Sequence, residues 1–113
     1  MQVTNCRTLA ISNSASGDTV IIAAPGGAGS NVNGTGFGDI TVWGVDLQST
    51  AGNTIQFKSG SSLISGTFVV PANGTEKWLP CGVPFVKCAA GQALSMNLAS
   101  TNAVTGQIWW TLG

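Results

Sequence analysis

No stretch of a dozen residues in this chain keeps a 3.6-residue apolar period free of glycine and proline, so long amphipathic helices are ruled out as the main building element. β-Branched residues dominate the apolar runs, and their stiff side chains favour the pleated strand. What the sequence does keep is a period of two. Ile55 and Phe57 share one face, Leu94, Met96 and Leu98 another, and Ile108, Trp110 and Leu112 a third. Each set can form one wall of a core, which predicts burial of Ile55, Phe57, Leu94, Met96, Ile108 and Trp110.

Strands are predicted over Asn5 to Ser12, Thr19 to Ala24, Ile40 to Gln48, Thr54 to Lys58, Ser62 to Val70, Thr75 to Leu79, Ala93 to Ala99 and Gly106 to Leu112. Between them, Ser59-Gly60-Ser61, Ala72-Asn73-Gly74 and Ala90-Gly91 offer the positive φ angles that tight connections need. About eight short strands at this spacing predict an all-β fold: an antiparallel β-sandwich, jelly-roll-like. With 113 residues there is material for one domain, residues 1–113. The glycine-rich segment PGGAGSNVNGTGFG at 25–38 is expected to form a loop or arm that orders against a neighbouring subunit.

The charge inventory narrows the function. Arg7, Lys58, Lys77 and Lys87 balance Asp18, Asp39, Asp46 and Glu76, so no basic field is available for a phosphate backbone or an anionic membrane. Neither nucleic acid nor a membrane is expected as a partner. Charged residues make up only 7% of the chain against about 25% in ordinary soluble domains. With little repulsion between copies, such a chain is expected to work assembled. No run approaches the roughly 18 apolar residues of a membrane-spanning helix, and MQVTNCRTLA lacks the charged and apolar regions of a signal peptide. If Met1 is the true start, a chain made without a Sec signal is expected.

Catalytic chemistry has few candidates. With no histidine and no tyrosine, triad catalysis is excluded within one chain, as are the commonest general base and metal ligand. Asp39 and Asp46 stand seven residues apart on one predicted strand, which sets them on opposite faces and roughly 23 Å apart, too far for a glycosidase pair. The glycine-rich segment lacks the Gly-Lys-Ser/Thr ending of a phosphate loop. Its GGAGSN stretch is one calcium-repeat fragment without the expected aspartate. Three cysteines, Cys6, Cys81 and Cys88, form no CxxC pair for zinc, and their odd number precludes a complete disulfide framework. Reduced, packed thiols are expected, with a Cys81–Cys88 bridge as the alternative in an oxidising setting. Both Asn-Gly-Thr triplets, at Asn33 and Asn73, fit a glycosylation pattern that arises easily by chance. No enzyme, cofactor or metal is therefore expected.

Four tryptophans remain: Trp43, Trp78, Trp109 and Trp110. At least two should be core. Adjacent on one strand, Trp109 and Trp110 must point to opposite faces, with Trp110 expected inside beside Ile108 and Leu112 and Trp109 covering a surface or interface. Exposed indoles on a sandwich could also stack on sugar rings.

From Ile40 onward, about two thirds of the chain resembles small β-sandwich structural proteins of tailed bacteriophages. That group shows an opening strand, an FKSGSxxLSG segment, an xxAxGT turn, a PxFxxxAGxALxLxLS block and a closing VxGxxWYT strand. The corresponding elements here are Phe57 to Gly66, Pro71 to Thr75, Pro84 to Ser100 and Val104 to Thr111. The cysteines and residues 1–38 fall outside the pattern. The resemblance implies a decoration or cement protein, made in the host cytoplasm, that sits on the virion's capsid surface, binds the major capsid protein and forms a homotrimer. It also leaves open a tail or fibre module that binds a receptor or glycan. The candidate interface is Gly26, Gly27, Asn31, Asn33, Phe37, Trp43, Trp78 and Trp109; on the glycan reading an exposed Trp43, Trp78 or Trp109 stacks on a sugar.

Overall fold

The computed structural model describes residues 6–24 and 39–112. Among these residues every regular element is a strand, ten in all. They are β1 (Arg7–Asn13), β2 (Gly17–Ile22), β3 (Ile40–Ser49), β4 (Asn53–Ser59), β5 (Ser62–Leu63), β6 (Phe68–Val70), β7 (Gly74–Trp78), β8 (Val86–Lys87), β9 (Leu94–Leu98) and β10 (Val104–Leu112). Two antiparallel sheets face each other. Sheet A runs β1-β10-β3-β7, with β8 also on β3, and sheet B runs β2-β9-β4-β5, with β6 also on β4.

Pairing links β1 with β10, β2 with β9, β3 with β7, and β4 with β5 and β6. The chain is thus a long antiparallel ribbon whose tip lies at β4–β5 and whose two arms alternate between the sheets. Alternation builds the core: Ile40, Val42, Val45 and Leu47 of β3 and Val104 and Ile108 of β10 face Ile55, Phe57, Leu94, Met96 and Leu98 of sheet B, all essentially inaccessible. Phe57 lies 5.9 Å from both Phe68 and Phe85, edge-on to the latter. Near one end, Asn53 ties two connections together. Its amide donates to the carbonyls of Ser100 and Asn102 and accepts from the Ser100 N–H.

Several expectations need correction. Ser62 to Val70 is not one strand, because the Ser65 hydroxyl accepts the Phe57 N–H at 2.8 Å and Ile64–Thr67 leaves the ladder between β5 and β6. β8, too short to show a period, was not expected. Trp110 is only half-buried: it leans on the core from near the end of β10 while Arg7 covers its ring at 5.1 Å. No tryptophan belongs to the fully buried core, where Phe57, Met96 and aliphatic side chains fill the space between the sheets. The segment 25–38, with Gly26, Gly27, Asn31, Asn33 and Phe37, lies outside the described residues.

Candidate functional site

The outer face of sheet A is organised by a bulge. Ile108 pairs with Val45 and Trp109 with Gly44, but Trp110 pairs with Val42, so Trp43 is the extra residue. Inserting one residue changes the parity of β3. Val42 and Val45, an odd number apart, both reach the core, and Trp43 is turned outward, where its indole N–H donates to the Thr111 hydroxyl at 2.8 Å. Trp109, alternating with core-facing Ile108 and Trp110, shares that outer face. Both indoles are half-buried. Gly44 opposite Trp109 has no room for a side chain, since a β-carbon there would sit 2.7 Å from the Pro80 ring. Pro80 therefore closes over β3 beside the two tryptophans.

The same parity change corrects the expectation for Asp39 and Asp46. Both lie on the outer side, Asp39 paired with Lys87 at 3.1 Å and Asp46 with Lys77 at 3.9 Å. Each carboxylate is bound to its own lysine, an arrangement suited to a charge-neutral rim. Between and beyond them the outer rows carry Thr8, Ala10, Ser12, Thr105, Gln107, Gln48 and Thr75, small or uncharged polar groups.

Trp78 is placed elsewhere. It pairs with Val45, which turns it toward the gap between the sheets at an edge strand, 5.9 Å from Phe85 and 43% exposed. The structure thus places Trp43 and Trp109 on the same outer face and separates Trp78 from them. Thr111 and Pro80, which complete the face, went unnoticed in the sequence. The one available signal was the change of apolar spacing from two to three between Val42 and Val45.

On sheet B the outer face is a fixed polar ladder. Asp18 accepts from the Asn97 amide at 2.7 Å and from Lys58 at 3.0 Å, and the Asn97 bond first, then Lys58, holds its carboxyl below the usual range. Gln56 donates to the Thr67 hydroxyl at 2.8 Å. Exposed Val20, Leu63 and Val69 flank the ladder.

All three cysteines are free, so the Cys81–Cys88 bridge is not formed: Cys88 is buried and Cys81 exposed. Burial pushes the Cys6 and Cys88 thiols up, which disfavours the nucleophilic thiolate. Among the described residues no cluster of three or more His, Cys, Asp or Glu could hold a metal. An open groove of about 370 Å³ is lined by Gln48, Ser49, Thr50, Asn73, Gly74 and Thr75 among others, with no titratable group to do chemistry. No family model, no curated protein and no solved structure matches the chain.

Proposed function

We propose that this protein is a non-enzymatic virion part, a jelly-roll sandwich that decorates the outside of a phage capsid and cements the shell. The observation that carries the reading is the outer face of sheet A. It has an aromatic centre of Trp43 and Trp109, pinned by Thr111 and backed by Pro80, within a rim whose charges are already paired. Protein interfaces concentrate aromatic residues at their centre and exclude unpaired charge there, because desolvating an unpaired charge is costly. The ribbon-like strand pairing and the phage-protein resemblance from Ile40 onward support the same reading.

A cement protein acts by mass action. Binding the closed shell and not its separated subunits, it raises the free energy of opening, and many copies spanning neighbouring capsomers add avidity. The test is binding of purified protein to capsids stripped of accessory proteins, with bound copies counted per particle. Saturation at a number set by the shell's symmetry, lost in Trp43→Ala and Trp109→Ala, is the expected result. No binding, or a few copies per particle, overturns it.

A second reading, a glycan-binding tail or fibre module, is favoured by the same pair of co-facial indoles with Gln107 and Asp46 in the adjoining row. Glycan titration that is saturable and abolished by Trp109→Ala would select it over the capsid reading.

A further inference from the structure

Among the described residues four sides of the two sheets end in edge strands, and three of them are visibly protected against pairing with another chain. β5, β6 and β8 are only two, three and two residues long. β7 carries Glu76 and Lys77 and runs between Pro71 and Pro80. The pairing of β2 is broken by an irregularity between Val20 and Ile22. Short length, charge, proline and bulges are the devices by which sheets avoid edge-to-edge association. β1 lacks all of them but a single charge. Its seven residues, Arg7–Asn13, pair with β10 in unbroken register, contain no proline and carry one charge, at the first position.

We infer that β1 is a self-pairing edge: two copies of the chain join antiparallel through β1, across a two-fold axis at Ala10, fusing their A sheets into one. Every other residue of β1 turns its N–H and C=O away from β10, and a second strand is the natural partner for those groups. The sequence of β1 fits its own reverse. Centred on Ala10, Leu9 meets Ile11 of the second copy on the core side, and Thr8 meets Ser12 of the second copy on the outer side. Arg7 falls opposite Asn13 of the second copy, so no like charges face each other. A cleft of about 190 Å³ runs along this edge between β1 and β2, lined by Leu9, Ile11, Asn13 and Ile21 among others. At the far end of the strand the Asn13 Oδ1 accepts the Ala15 N–H at 3.1 Å, which turns the chain away and leaves the edge from Arg7 to Asn13 straight. A chain with net charge zero offers no long-range repulsion against such pairing.

This contact is two-fold and does not depend on the capsid reading; a three-fold contact would use another surface. The test is sedimentation of the purified protein over a range of concentrations, with far-UV circular dichroism as the control for folding. Wild type is expected to approach twice the 11.4 kDa chain mass. Ala10 is exposed, so Ala10→Lys and Ala10→Glu leave the fold intact but set like charges directly opposite each other across the axis. Each alone should weaken the dimer on the order of 100-fold, and mixing the two should restore it. A wild type that stays monomeric, a dimer or trimer indifferent to both variants, or a mixture that fails to re-pair would overturn the proposal.

Discussion

Trp43 and Thr111 lie on neighbouring strands, and the 2.8 Å bond from the indole N–H to the hydroxyl spans the site where the ladder slips by one residue. A bulge bends its strand and re-aims one side chain. Here the re-aimed side chain is an indole, and the hydrogen bond holds it on the outer face instead of letting it swing. Thr111→Val keeps the shape and removes the acceptor. It should cost about 1 kcal/mol in denaturant unfolding. In a double-mutant cycle with Trp43→Phe, most of that cost should appear as coupling. Additive effects would show that the bond is not formed in solution.

Gly106 of β10 lies against β3 with no room for a side chain. Its φ is 138°, and a β-carbon would run into the carbonyl of Asp46. Both the backbone angle and the backbone contact oppose any side chain, and neither can relax by a rotamer change. Gly106→Ala should therefore destabilise by about 3 kcal/mol or more. Gly17→Ala is the control. Gly17 also has positive φ, 84°, but open space where the methyl would go, so only the conformational cost of about 1 to 2 kcal/mol should appear. Equal losses at the two sites would remove the steric argument.

The walls of the core were legible because alternation alone assigns them: Ile55, Phe57, Leu94, Met96 and Ile108 are all buried as their spacing requires. Parity fails where pairing intervenes. Asp39 and Asp46 share the outer side only because Trp43 is inserted, and an insertion is defined by the register between β3 and β10, a relation between segments some sixty residues apart. Ser62 to Val70 reads as a strand residue by residue, yet a single side chain, Ser65, competes for the Phe57 N–H and breaks it. Alternation with Ile108 sets Trp109 outward in the sequence itself, whereas the place of Trp78 follows only from its pairing with Val45.

The Asp18 ladder gives sheet B an acid-sensitive element. Bonds from Asn97 and Lys58 lower its carboxyl pKa in the folded state, so its contribution is complete above the unfolded-state value of about 3.9 and is lost as pH falls through the folded value. Urea midpoints should drop below about pH 4, and Asp18→Asn should make that limb shallower. An unchanged acid limb in Asp18→Asn would assign the sensitivity to another carboxylate.

Phe57 is the point at which the stretch from Ile55 to Thr75 becomes structural. Its ring is fully buried, tilted against Phe68 and edge-on to Phe85, and Phe85 in turn meets Trp78, so one side chain supports an aromatic chain leading from the core to the surface. Phe57→Ala removes the anchor and leaves a cavity between the sheets, which should cost about 3 to 5 kcal/mol. Phe57→Leu fills most of that volume and should cost less than half as much. The two variants also separate packing from display. Because Trp78 packs on Phe85 and Trp110 leans on the core, their fluorescence should shift toward that of exposed indole in Phe57→Ala, while Trp43 and Trp109, on the outer face of sheet A, keep their environment. A spectrum unchanged by Phe57→Ala would mean that the position of Trp78 does not depend on the Phe57 ring.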